Sequence, residues 1–119
     1  MSQIQNSKIY DLEERCLRFT QAVNQYVRKL PRDIPNIENG KQLVRSAGSV
    51  GANYIEANES LSKKDFLMRI KISRKEAKES KYWLMLAIPA KEFEGEKAKS
   101  VQEALELTKI FGSIVEKSK

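Results

Sequence analysis

The chain has 119 residues, a formal net charge of +6, no histidine and one cysteine. This length suffices for one domain with a real core, and a single thiol excludes an intrachain disulfide. Without histidine, Ser-His-Asp and Cys-His catalytic systems are excluded. No apolar run approaches the ~20 residues of a membrane span, and the N-terminus lacks the apolar core of a signal peptide. We therefore expect a cytoplasmic, non-enzymatic protein without cofactor, metal or membrane partner.

The first predicted helix covers about residues 8–30 and ends where Pro31 removes a backbone donor. Its apolar residues alternate three and four positions apart, which is the spacing of a helical core seam. These residues are Ile9, Leu12, Cys16, Phe19, Val23, Tyr26 and Leu30.

Three further helices follow a predicted loop at residues 31–37. The second covers about residues 38–60, with a seam formed by Leu43, Ala47, Val50, Tyr54, Ala57 and Leu61. The third, about residues 63–88, begins at a capping box of Ser62 and Asp65 and ends before Pro89. The fourth, about residues 94–117, has a seam formed by Ala98, Val101, Leu105, Thr108, Phe111 and Val115. Long helices with short connections predict an all-α fold: a single-domain, antiparallel up-down-up-down four-helix bundle over residues 1–119.

Polar residues recur at helical spacing on both arms of the second predicted hairpin. On the second helix they are Arg45, Ser49, Asn53 and Glu56, and on the third they are Ser73, Glu76 and Ser80. A buried polar stripe requires partners, so we expect a network across the hairpin. Its members would be Arg45, Ser49, Asn53, Glu56, Glu76 and Glu79.

The register of this hairpin follows from its turn. If the turn centres near Leu61 and Ser62, facing residues have numbers that sum to about 123 or 124. Arg45 then lies opposite Glu79, with Glu76 one turn away, and an ion pair with either carboxylate is predicted. Because desolvation offsets much of the attraction, this pair would fix the register more than it would add stability.

Basic residues are concentrated on the third helix. Residues 63–81 hold eight Lys and Arg against three Asp and Glu. At 100° per residue, four of these lysines fall within about 60° of one another. They are Lys64, Lys71, Lys75 and Lys78. The pattern predicts a nucleic-acid contact through phosphates, and the alternative is an ordinary solvated helix face.

Aromatic residues and glycines indicate contacts beyond one core. The side chains of Tyr82 and Trp83 diverge by ~100°, so the third helix is apolar on two sides and self-association is expected. Either aromatic residue could lie in the core or at a subunit interface, and base stacking by Trp83 is a further alternative. Gly48 and Gly51 inside a helix indicate close approach of another helix or chain, unless they are simply tolerated weak positions.

The segments LVRSAGSVGANYIEA and SKKDFLMRIKISRKEAKESKYWLMLA resemble the four-helix-bundle family of proteins encoded in intervening sequences of bacterial 23S rRNA genes, also labelled S23 ribosomal protein-like. The resemblance implies a homopentamer. It also implies kinship with accessory proteins of diversity-generating retroelements, which work with a reverse transcriptase and RNA through basic surfaces. The family's hallmark residues match Arg45, Ser46, Ser49, Asn53, Glu56, Asp65, Phe66, Glu76, Glu79, Tyr82 and Trp83. Residues 48–51 replace a bulkier sequence of other members.

Two functions remain open at this point. The first is a basic, oligomeric protein that binds nucleic acid, with RNA favoured, through the lysines of the third helix. The second is a homopentameric protein-interaction scaffold without a physiological nucleic-acid ligand, whose basic face would serve an acidic protein.

Overall fold

The computed structural model describes the backbone of residues 2–119 and the side chains of residues 11–119. Four helices pack against one another: α1 (Ser2–Arg28), α2 (Ile34–Asn58), α3 (Lys63–Leu86) and α4 (Glu94–Ser118), with a short 3₁₀ helix, Lys91–Phe93, before α4. The predicted all-α architecture of four packed helices is confirmed. The most extensive contact joins α2 to α3. Within the described part, no helix combines the length and hydropathy needed to cross a bilayer.

The connection between α1 and α2 is shorter than predicted, because α1 ends at Arg28 and α2 begins at Ile34. The predicted loop over residues 31–37 is therefore wrong at its second half. Asp33 is the N-cap, and its side chain accepts a hydrogen bond from the backbone N–H of Asn36. Pro35 lies in the first turn, where a helix has no use for the missing N–H. The Asp-x-Pro sequence is thus a helix start within the segment predicted as a loop.

Asn36 ties this start of α2 to the segment that follows α3. Its Nδ2 donates to the carbonyl oxygens of Pro31 at 3.0 Å and Ile88 at 2.9 Å. Its Oδ1 accepts from the N–H of Ile88 at 2.9 Å. Because Asn36 is buried, these bonds satisfy its side-chain amide, which would otherwise be unpaired in the interior.

The predicted core positions of α1 and α2 are largely buried. On α1 these are Cys16, Phe19, Val23 and Tyr26, with Leu30 two residues beyond its end, and on α2 they are Leu43, Ala47, Val50, Tyr54 and Ala57. The side chain of Ile9 lies outside the described residues. Cys16 is fully buried, so the predicted buried thiol is confirmed, and burial raises the pKa of this thiol to about 12. Burial likewise raises the pKa of Tyr26 to about 12.

Several predicted core assignments are wrong: Leu61 and Ala98 are exposed, and Leu105 and Thr108 are only half-buried. Leu61 is fully exposed because it lies in the turn after α2. On α4, Ala98 is exposed, and the buried residues are Ser100, Ala104, Leu107, Phe111 and Val115. Lys97 Nζ donates to the carbonyl oxygen of Ala87 at 2.9 Å, and this bond joins the first turns of α4 to the preceding connection.

Ion pairs join α1 to α4. Arg15 contacts Glu103 through two bonds of 2.7 and 2.8 Å and Glu106 through one of 2.9 Å. Just beyond the end of α1, Lys29 Nζ lies 2.7 Å from Glu96 Oε1. These groups are partly exposed, so we expect a modest contribution to stability.

Candidate nucleic-acid interface

Three buried serines lie where α2 meets α3. Ser46 Oγ and Ser80 Oγ are 2.9 Å apart, and Ser73 Oγ donates to the carbonyl oxygen of Val50 at 2.9 Å. Ser80 Oγ also donates to the carbonyl oxygen of Glu76, one turn earlier on α3, at 2.8 Å. Small side chains allow the two helices to approach closely, and each hydroxyl has a partner, so burying them is tolerated.

Arg45 of α2 reaches the two acidic residues of α3 that the hairpin register predicted. Its Nη1 lies 3.7 Å from Glu76 Oε2, and its Nη2 lies 3.5 Å from Glu79 Oε1. The predicted ion pair is therefore present. Glu76 is buried, and its Oε1 has no hydrogen-bond partner among the described residues. Because the Arg45 side chain is half-exposed, the contact fixes the position of the two helices more than it adds stability.

The remaining polar residues of α2 are less buried than predicted. Arg45 and Glu56 are exposed, whereas Ser49 and Asn53 are half-buried. Asn53 Oδ1 accepts from Arg69 Nη1 of α3 at 3.0 Å, and its Nδ2 donates to the carbonyl oxygen of Ser49. Ser49 therefore takes part through its backbone. The expectation of one buried stripe on α2 was wrong because these residues lie at the edge of the contact with α3.

Ser46 of α2 belongs to this contact, although the predicted polar network left it out and only the family resemblance pointed to it. It is fully buried and contacts Ser80. Its position next to Arg45 placed it beside the predicted polar stripe. The predicted hairpin register already placed Ser46 almost opposite Ser80, and two small hydroxyl residues in such positions could have indicated the contact.

The four lysines singled out in the sequence lie on the outward face of α3, and we call them the lysine ridge: Lys64, Lys71, Lys75 and Lys78. All four are exposed. Within residues 11–119, none of them forms an ion pair with a carboxylate. The two nearest acidic residues of α3 instead turn toward Arg45. Glu76 and Glu79 therefore do not neutralise the ridge, and Asp65, which lies beside Lys64, forms no ion pair within residues 11–119.

Tyr82 and Trp83 have different environments. Trp83 is half-buried against the core cluster, and its buried Nε1 has no hydrogen-bond partner among the described residues. Tyr82 is 59% exposed. The two rings meet edge to face, with centroids 5.0 Å apart and an interplanar angle of 73°. Trp83 is therefore a core residue at its inner side, whereas Tyr82 points outward.

The two glycines of α2 also differ. A Cβ added to Gly51 would lie 3.1 Å from Cys16 Cβ, so α1 is the helix that approaches there. A Cβ added to Gly48 would meet nothing within 4 Å. Gly48 lies instead on an outward apolar surface of α2, which we call the α2 stripe. Its members repeat at heptad spacing: Ile37, Val44, Gly48 and Ile55.

The sequence profile of the 23S rRNA-intervening sequence protein family matches residues 8–112. The chain belongs to this family. A crystal structure of a protein of unknown function from the S23 ribosomal protein family of Bacteroides thetaiotaomicron is similar, with a TM-score of 0.75 and 29% identity. The similarity covers 92% of this chain and 98% of the other. No curated protein is significantly similar to the chain.

This member of the 23S rRNA-intervening sequence protein family also has a groove at the opposite end of α2 from the hairpin turn. Its volume is about 530 Å³. Apolar side chains of α1, α2 and their connection line it, including Val27, Leu30 and Val44. Arg28 and Arg32 stand among the lining residues as well, so the groove combines an apolar lining with positive charge. Among the described side chains, no cluster suited to a metal ion is present.

Proposed function

We propose that this member of the 23S rRNA-intervening sequence protein family is a non-enzymatic, oligomeric nucleic-acid-binding protein that contacts RNA through the lysine ridge. The observation that supports the proposal is the set of four exposed lysines on one helix face, none of which forms an ion pair within residues 11–119. Glu76 and Glu79, which could have neutralised them, contact Arg45 instead. The reference to 23S rRNA in the family's description favours RNA over DNA.

An oligomer would strengthen the binding of RNA to the ridge. Lysine contacts to phosphate gain free energy by releasing counterions, so binding weakens as salt rises. Four lysines on one chain give a weak, sequence-independent contact. Repetition of the ridge around a ring of subunits would strengthen binding through effective concentration without any new kind of contact.

A homo-oligomer, with five subunits as the resemblance implies, is part of the same proposal. The α2 stripe supports it, because exposed apolar residues at heptad spacing are typical of helix pairing between chains. Gly48 in this stripe would allow close approach of a neighbouring helix. The up-down-up-down arrangement within each subunit is supported by contacts whose residue numbers run in opposite order on α2 and α3: Ser46 with Ser80, Val50 with Ser73, and Asn53 with Arg69.

The test is charge reversal on the ridge. In Lys71→Glu/Lys75→Glu, affinity for a mixed pool of structured RNA should fall by at least about tenfold, because two phosphate contacts become repulsive. Fluorescence anisotropy at about 150 mM salt measures this. The matched control is Lys99→Glu/Lys109→Glu, which makes the same change in net charge at exposed positions of α4. A folded ridge variant that keeps the affinity of the control would contradict the proposal.

A second candidate function is a protein-interaction scaffold, favoured by the groove beside Arg28 and Arg32. Light-scattering mass with and without RNA separates the two functions. A pentamer of the 13.7 kDa chain has a mass of about 69 kDa. A particle that gains mass with RNA favours nucleic-acid binding, and one indifferent to RNA favours the scaffold.

A further inference from the structure

We propose that Tyr82 extends the lysine ridge into a site for single-stranded RNA, in which an unpaired base stacks on the tyrosine ring. This inference rests on the proposed function, because it assumes that the ridge contacts RNA phosphates. It goes further by naming the form of the nucleic acid and the residue that selects it. The position of Tyr82, its exposure and its contact with Trp83 lead to this inference.

Tyr82 lies in line with the lysine ridge on α3. Tyr82 follows Lys71, Lys75 and Lys78 by eleven, seven and four residues, so at 100° per residue it lies within about 40° of each of them. The rise from Lys78 to Tyr82 is about 6 Å along the helix. A strand whose phosphates follow the ridge therefore passes beside the aromatic ring.

The ring of Tyr82 is exposed to solvent and is held in place by Trp83. With 59% of its surface exposed, Tyr82 has aromatic area free for a ligand. Its ring also rests against Trp83, with the two centroids 5.0 Å apart, and Trp83 packs against the core. A ring supported in this way loses little conformational freedom when a base stacks on it, and preorganisation of this kind favours binding.

A tyrosine beside the lysines distinguishes single-stranded RNA from duplex RNA. Lysines alone bind the phosphates of duplex and single-stranded RNA alike. In a duplex, the faces of the bases are covered by their neighbours, whereas unpaired bases can be splayed out and stacked on aromatic side chains. Stacking tolerates any base, because every base has a π-face. A line of lysines that continues into an exposed tyrosine therefore favours single strands without strong sequence preference.

The experiment compares a fluorescein-labelled 12-nucleotide oligo(A) with a 12-base-pair RNA duplex. In Tyr82→Ala, affinity for oligo(A) should fall by at least about fivefold, and affinity for the duplex should stay unchanged. Tyr82→Phe keeps the ring and should keep the affinity. Met85→Ala is the matched control, because Met85 is 58% exposed on the next turn of α3 but has no aromatic ring.

Two further readouts separate stacking from a general loss of structure. The slope of log affinity against log salt concentration should be unchanged in Tyr82→Ala. Lys75→Gln should make this slope shallower by about 0.7 for a single strand. Trp83 is the single tryptophan of the chain, and its ring touches Tyr82. Oligo(A) should therefore change tryptophan emission in the wild-type protein, and the duplex should not.

The outcomes distinguish this inference from the proposed function. If Tyr82→Ala binds oligo(A) like the wild type while the ridge variant Lys71→Glu/Lys75→Glu does not, the stacking site is wrong and nucleic-acid binding stands. If Tyr82→Ala lowers the light-scattering mass, the tyrosine is a subunit contact and the inference is overturned. If the wild-type protein binds neither probe, the proposed function itself fails.

Discussion

The inward and outward faces of the α2–α3 hairpin carry polar residues for opposite reasons. On the inward face, Ser46, Ser73 and Ser80 are buried and hydrogen-bonded. On the outward face, the lysine ridge is exposed and without ion pairs in residues 11–119. A polar residue at a core spacing thus indicates helix contact when it is small and satisfied. A charged residue left unpaired beside its own helix's carboxylates indicates a surface available to a ligand.

The largest expected effect comes from enlarging the inward face. Ser73 is fully buried, and its Oγ bonds to Val50 of α2, so Ser73→Leu must push the two helices apart. We expect it to lower the free energy of unfolding by about 1–3 kcal/mol. Lys71→Leu, two residues earlier on the outward face, should stay within about 0.5 kcal/mol. Urea denaturation followed by circular dichroism measures both, and equal midpoints would contradict the burial of Ser73.

A smaller effect concerns the thiol on the inward side of α1. Burial raises the pKa of Cys16 from 9.0 to about 12, so the folded protein disfavours the thiolate. The stability contributed by this protonated group is fully present below the unfolded pKa and is lost as pH rises through the folded pKa. We expect the free energy of unfolding to fall above pH 9, by about 1 kcal/mol at pH 10.

The control for this pH dependence is Cys16→Ala. The cavity that it leaves lowers the free energy of unfolding by an amount that does not depend on pH, and the loss of the thiol removes its share of the pH dependence. Tyr26 titrates in the same range, with its pKa raised by burial to about 12, so a shallower slope should remain in the variant. Urea denaturation between pH 8 and 10.5, at about half-unit steps, measures the difference. A variant as steep as the wild type would assign the alkaline loss to other groups.

The comparison of the two faces also explains what the sequence could and could not predict. The contact of Arg45 with Glu76 and Glu79 followed from helical period and from a turn located by its capping residues, since both are local signals. The face of α4 that is turned toward the core could not be predicted in this way, because Ala104, Leu105 and Leu107 offer apolar side chains in more than one direction. Only packing against the other helices selects among such alternatives.

The candidate site shows the same division. Helical period placed the lysine ridge on one face, and the described structure leaves that face exposed. The period could not say which of Tyr82 and Trp83 faces the core, because adjacent aromatic residues point in different directions whichever one is buried. It also could not show that Glu76 and Glu79 contact Arg45 and not the ridge lysines, since that depends on a residue of another helix.

The smallest expected effect comes from adding one methyl group to either glycine of α2, Gly48 or Gly51. Within a single subunit, Gly48→Ala adds a Cβ in open space and should raise the free energy of unfolding by about 0.5–1 kcal/mol, because alanine is the better helix former. Gly51→Ala gains the same propensity but places its Cβ 3.1 Å from Cys16 Cβ, where the atom is fixed to the backbone of α1. It should be less stable than Gly48→Ala by about 1 kcal/mol.

Urea denaturation of the two variants, each with its light-scattering mass, tests this pair. Equal stabilities would mean that α1 shifts freely away from Gly51. A normal mass in Gly48→Ala leaves room for a methyl group at the α2 stripe. A lower mass in that variant, with helical content retained, would mean that a neighbouring subunit approaches Gly48 as closely as Cys16 approaches Gly51. The two glycines would then serve the same purpose, one within the chain and one between chains.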